Sequence, residues 1–193
     1  MRSDASVYRA KYALRRALDR VTALRALQPN AISVAVLVPS FLAALSLTQG
    51  WWAVAALAIV ARMFLATLDG YVAETYGKRS RLGAYLNRAM AQIGDAVILL
   101  SLLARADALW VGIVVAATWI ADVLALLGPI AGGTLQWIGP AAQADRLTIL
   151  LVASVLALFL PVEWTVVLQL LAALLAVTIA LRLWRSVREL AAA

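Results

Sequence analysis

Six stretches of this sequence, at 31–49, 51–75, 81–104, 108–128, 145–162 and 164–184, are apolar for long enough to cross a membrane as helices. A hydrocarbon layer of roughly 30 Å takes about 20 helical residues. Inside that layer no water is available to the backbone, so each helix must satisfy its own N–H and C=O groups. The expectation is an all-α integral membrane protein of six transmembrane helices, forming a single membrane domain over residues 1–193. Composition agrees, with 65% hydrophobic and 14% charged residues, far more apolar surface than one soluble core needs. Gln49-Gly50, Arg105-Ala106-Asp107 and Pro161-Val162-Glu163 are short connections, and short connections make antiparallel neighbours.

Basic residues set an expected orientation. Arg2, Arg9, Lys11, Arg15, Arg16, Arg20 and Arg25 precede the first span, Lys78, Arg79 and Arg81 follow the second, Arg146 opens the fifth, and Arg182, Arg185 and Arg188 follow the sixth. Arg105 stands alone on the other side, so the positive-inside rule places both termini in the cytoplasm, as in a bacterial inner membrane. Trp51, Trp52, Trp110 and Trp164 fall at the opposite ends of the spans, where an aromatic belt is expected. Residues 5–27 alternate apolar positions such as Leu14, Leu18 and Val21 with basic ones, as in an amphipathic helix lying in a membrane interface. No cleavable signal peptide is expected, because the first apolar run starts only after some thirty polar and basic residues. The net charge of +7 needs no nucleic-acid partner, since it gathers at span ends and suits anionic lipid.

Cysteine and histidine are both absent, which excludes disulfides, thiol chemistry, Cys/His zinc sites and imidazole catalysis. Chemistry is left to carboxylates, lysine, arginine, hydroxyls or a metal held by oxygen. Arg62, Ala66, Asp69, Gly70, Ala73 and Glu74 recur at helical spacing and share one face of the second span. Gly83, Asn87, Ala91 and Asp95 repeat every four residues and share one face of the third. Arg62, Asp95 and Asp122 are charges inside spans, each a functional candidate or a satisfied structural partner of a neighbouring helix.

Leu68-Asp69-Gly70-Tyr71-Val72-Ala73-Glu74 followed by Gly83-Ala84-Tyr85-Leu86-Asn87-Arg88-Ala89-Met90-Ala91 resembles the signature of the CDP-alcohol phosphatidyltransferase family, D-x-x-D-G-x-x-A-R and then G-x-x-x-D-x-x-x-D. Gln28-Pro29-Asn30-Ala31-Ile32-Ser33 is similar to a motif that family carries before its first span. Gly139-Pro140-Ala141-Ala142-Gln143-Ala144-Asp145-Arg146 is similar to its G-P-M-G-K-x-D-R loop, with Gln143 in place of lysine. The four carboxylate positions fall on Ala66, Asp69, Asn87 and Ala91, and the arginine falls on Glu74, so only Asp69 keeps its acid. In the family, as the resemblance implies, the first three acids ligate divalent metal against the diphosphate of a CDP-alcohol and the fourth is the general base.

The resemblance implies a nucleotide- and phosphate-binding set of Asp69, Gly70, Ala73, Gly83, Asn87 and Arg88, with Asp69 as a residual metal ligand. No catalytic set is intact. Asp95 is the candidate substitute base, or else the ion-pair partner of an arginine such as Arg88, and Arg88 itself is a candidate phosphate anchor in place of metal. The expected function is a catalytically impaired member of phospholipid biosynthesis, a lipid- or nucleotide-binding subunit or scaffold requiring no cofactor. Its expected partners are membrane lipids, CDP or a CDP-linked lipid, and a second copy or an active relative. The alternative is an active Mg- or Mn-dependent transferase that moves a phosphoalcohol group from a CDP-linked donor to an alcohol and releases CMP. A third is a small transporter using Arg62, Asp95 and Asp122 as a polar path.

Overall fold

A computed structural model of the chain describes residues 22–192, with helices and connecting segments and no strand among them. The expected interfacial helix at 5–27 lies outside the described residues except for its end, which is a 3-10 turn at Thr22–Ala26. Then come α1 (Pro29–Ala35), α2 (Leu37–Gln49), α3 (Trp52–Thr75), α4 (Arg81–Ser101), α5 (Ala108–Ile130), α6 (Gln143–Leu156) and α7 (Trp164–Leu190).

Local sequence explains the boundaries. Pro29 opens α1 at a position where its missing N–H costs nothing. Pro39 can donate nothing to the Ala35 carbonyl and crowds it, so the first span breaks at Val36 into α1 and α2. Ser80 caps α4 by accepting from Gly83 N at 2.9 Å, and Asp107 caps α5 by accepting from Leu109 N at 2.8 Å. At the end of α2, Gly50 turns left-handed with φ 77°, and Arg105 donates to the last carbonyls, Leu47 O at 3.1 Å and Thr48 O at 2.7 Å. Arg105 is thus a helix cap, and its guanidinium also lies 5.3 Å from the Trp52 ring.

Pro29–Gln49, Trp52–Thr75, Arg81–Ala104, Ala108–Ile130 and Trp164–Leu190 are long and apolar enough to cross a membrane. The remaining span, α6, has 14 residues, about 21 Å of helix. Beyond Leu156 it tightens into turns, with Leu158 N on Val155 O and Phe159 N on Leu156 O, and Pro161 forbids any helical continuation. The last helix runs six residues past its expected end, to Leu190.

Packing departs from the paired-neighbour expectation. The first span packs closely on α3 as its short connection suggests, and also on α4. The other short-linked pairs touch much less, because α5 packs along α7 and α6 along α3. A short connection fixes where two ends meet and leaves the buried faces free to choose. Ala43, Ala55, Ala58, Ala121 and Ala153 are buried in the main core and let backbones approach, as association in lipid requires. Trp52 and Trp164 stack at 5.4 Å, which puts these two belt residues at one end, though Trp164 is buried in the bundle and does not face lipid.

The connection from α5 to α6 is irregular but fastened. Glu189 accepts from Thr134 N and Oγ1, both at 2.9 Å, and from Gln136 Nε2 at 2.8 Å. Gly139 has φ 117°, and a Cβ there would lie 2.5 Å from Thr178, so only glycine lets the loop meet α7.

Candidate functional site

α3 and α4 are consecutive, yet they touch one another little. Between them lies a cavity of about 690 Å³. The α3 face read from the sequence opens onto it, from Arg62 through Ala66, Asp69 and Gly70 to Ala73 and Glu74. From α4 come Gly83, Asn87 and Arg88, and from α6 Gln143. All six residues of the expected nucleotide- and phosphate-binding set therefore line one cavity. Ala91 and Asp95, one and two turns further along α4, are not among its lining residues.

The glycines differ in what they permit. A Cβ on Gly70 would meet nothing within 4 Å, so its backbone is open to whatever enters. A Cβ on Gly83 would stand 2.8 Å from Asn30 Oδ1, so that glycine lets the start of α4 rest against α1. Lys78 reaches back to the carbonyls of Arg25 and Leu27, both at 2.7 Å, and holds the chain before α1 against the α3–α4 connection. Glu74, at the family's arginine position, pairs with Arg79 at 3.2 Å on the exposed rim.

Asp69 is buried, and its Oδ2 accepts from Ser33 Oγ and from Asn87 Nδ2, the latter at 2.8 Å. Its Oδ1 accepts from no described residue. Ser33 was not singled out in the sequence. The only signal for it is its place in the Pro29-to-Ser33 motif, which the fold sets opposite Asp69.

Behind the cavity runs a buried chain of charges. Asp95 Oδ1 accepts from Arg62 Nη2 and Asp95 Oδ2 from Arg146 Nη2 at 2.8 Å; Asp122 Oδ2 accepts from Arg146 Nη2 at 2.9 Å and Asp122 Oδ1 from Arg182 Nη1 at 3.1 Å. Gln92 Nε2 adds a bond to Asp122 Oδ2 at 2.7 Å. All five charged residues are at most 3% exposed. Three guanidiniums face two carboxylates, so the chain carries an excess positive charge.

Two placements differ from those expected from the sequence, the partner of Asp95 and the surroundings of Arg146 and Arg182. Asp95 is the ion-pair partner of arginine, as one of its two expected readings has it, but of Arg62 and Arg146 and not of Arg88; both its oxygens are bonded, and it is not among the cavity-lining residues. Arg146 and Arg182, counted as cytoplasmic flanks, are core residues at 2% and 0% exposure. Arg88 is exposed, its guanidinium 5.9 Å from the Trp137 ring, and the same ring lies 5.5 Å from Arg182. The exposed Trp137 ring thus has two guanidiniums within 6 Å.

Two divalent ions of the hard, oxygen-loving kind need several anionic ligands in fixed geometry. At the four carboxylate positions of the signature only Asp69 is anionic, and its Oδ2 is occupied by two donors. No group of three or more acidic, cysteine or histidine side chains able to hold a metal occurs among the described residues. The donor set does not fit a pair of metal ions.

The family model for CDP-alcohol phosphatidyltransferase matches residues 26–184. No curated protein matches the chain. Among solved structures, the crystal structure of Mycobacterium tuberculosis phosphatidylinositol phosphate synthase (PgsA1) with CDP-DAG bound is similar at a TM-score of 0.72 and 22% identity. The match covers 92% of this chain and 94% of that one, and it establishes the fold.

Proposed function

This chain belongs to the CDP-alcohol phosphatidyltransferase family, and from that premise we propose that it is a member of phospholipid biosynthesis that binds a CDP-linked lipid while its own transferase chemistry is impaired. The supporting observation is the surroundings of Asp69. The family's other acid positions hold Ala66, Asn87 and Ala91, and Asn87 gives Asp69 a neutral amide donor where a cation would otherwise sit. The cavity keeps its glycines and its openness, so the ligand-shaped part of the site outlasts the ion-binding part. PgsA1 binds CDP-DAG in a like fold. For this chain the same lipid nucleotide is the proposed ligand, with Arg88 as an anchor for its phosphates.

The bundle is proposed to lie in a bacterial inner membrane with both termini cytoplasmic, and to work beside a second copy or an active relative. The transporter reading is not favoured, because Arg62, Asp95 and Asp122 are bonded to arginine or carboxylate partners.

Purified protein is expected to release no CMP from CDP-diacylglycerol with Mg²⁺ or Mn²⁺ and common alcohol acceptors, yet to bind CDP-diacylglycerol in calorimetric titration. Arg88→Ala should weaken that binding by about 1.5–3 kcal/mol, as for a charge-assisted contact. Robust metal-dependent CMP release would establish the active transferase instead.

A further inference from the structure

Arg62 combines two properties that rarely coincide. It is only 1% exposed, and it lines the cavity. Its guanidinium is fixed from behind: Nε donates to Ser40 Oγ at 2.9 Å, and Nη2 donates to Ala91 O at 3.0 Å and to Asp95 Oδ1. Nη1 donates to no described residue. Space for the group comes from Gly94, where a Cβ would stand 2.6 Å from Ser40 Oγ and 3.1 Å and 3.2 Å from Arg62 Nε and Nη2.

Its position bears on the missing acids. Ala66 is one turn along α3 from Arg62, and Ala91 supplies the carbonyl that the guanidinium grips. An acid at Ala66 would draw Arg62 into an ion pair, whereas alanine leaves its charge to the cavity. Asp95 does not cancel that charge, because it is shared with Arg146. The charged lining residues are Arg62, Lys78, Arg79 and Arg88 against Asp69 and Glu74, four cations to two anions, so the cavity favours an anion.

We propose that the guanidinium of Arg62 is a built-in replacement for the divalent ions that the remaining ligands no longer fit, holding the diphosphate of a cavity ligand without metal. This rests on the reading of the cavity as a CDP-lipid site and names the group that makes such binding metal-independent. A guanidinium offers planar, permanently charged donors suited to phosphate oxygens, and held in a buried site it loses little freedom on binding. Arg62 also bridges α3 and α4 through Ala91 and Asp95, tying together two helices that otherwise touch little.

The test uses the full chain in lipid nanodiscs, with CDP-diacylglycerol and inorganic pyrophosphate as separate probes, each titrated in EDTA and in Mg²⁺. Wild-type affinity should be the same in both. The charge-neutral double variant Arg62→Met with Asp95→Asn removes the cation without stranding its partner, and should weaken both probes at least tenfold. Asp95→Asn alone, which releases the guanidinium from its ion pair, should tighten binding, a result that a purely structural arginine would not produce. If the double variant does not melt cooperatively, Arg62→Lys decides, with a threefold or greater loss expected because the charge remains but the fork is gone. Unchanged affinity in the folded double variant, unchanged affinity in Arg62→Lys, or wild-type binding abolished by EDTA each overturns the proposal. Arg62-dependent binding of pyrophosphate without binding of CDP-diacylglycerol would sustain it while rejecting the CDP-lipid ligand. CDP-diacylglycerol bound independently of Arg62 would do the reverse, and no binding of either probe would reject both.

Discussion

Asp122 accepts from Gln92, Arg146 and Arg182 at once, inside a medium that solvates none of them. A buried ion pair adds little net stability over a well-packed apolar pair, but removing one member leaves a charge that nothing compensates. Asp122→Asn is therefore expected to destabilise the folded bundle by about 3–5 kcal/mol. Adding Arg182→Met should recover part of that loss, a coupling that a double-mutant cycle on unfolding in detergent would measure. Two glycines give a sharper contrast. Gly139→Ala forces an L side chain to φ 117° against Thr178 and should cost about 1–3 kcal/mol. Gly112→Ala in α5 meets nothing within 4 Å and should be neutral, or stabilising by up to about 1 kcal/mol through helix propensity.

At the scale of elements, α3 and α4 stand apart and are joined by polar links, Asn87 to Asp69 and Arg62 to Ala91 and Asp95. Restoring the family acids by Ala66→Asp, Asn87→Asp and Ala91→Asp is expected to recover Mn²⁺ binding before any CMP release, because Glu74, Arg88 and Gln143 still depart from the pattern. Arg62 should compete with the ion, so adding Arg62→Met should tighten Mn²⁺ binding in titration calorimetry. The helices themselves were legible because a twenty-residue apolar run has few other uses, and the cavity face followed from the 3.6-residue period. Burial of Arg146 and Arg182 was not legible. An arginine near the end of an apolar run reads the same in one dimension whether it faces lipid headgroups or a carboxylate two helices away. The partners Ser33, Ser40 and Gln92 were hidden for a like reason, since only packing brings them to Asp69, Arg62 and Asp122. The shortness of α6 was partly visible in Pro161, which sets the limit that the apolar run alone does not.

For the whole molecule, the first expectation is topological. Single cysteines engineered into a chain that has none should label positions 50 and 163 from one side of the membrane and 79 and 188 from the other; same-side labelling would reject the orientation. The ionic chain then has a consequence for biogenesis. Arg62, Asp95 and Asp122 are synthesised first, Arg146 next and Arg182 in the final helix. Each must enter the bilayer at a cost of about 2.5–3.5 kcal/mol if it is near the middle of a span and alone. Asp122 waits for two partners that leave the ribosome only later, so the early helices are expected to linger at the insertion machinery as a loose, unfinished assembly. Arrival of α7 adds the third guanidinium, with Arg182 Nη1 at 3.1 Å from Asp122 Oδ1. A nascent protein stopped before that helix would hold two guanidiniums against two carboxylates, with Asp122 left to Arg146 and Gln92 alone.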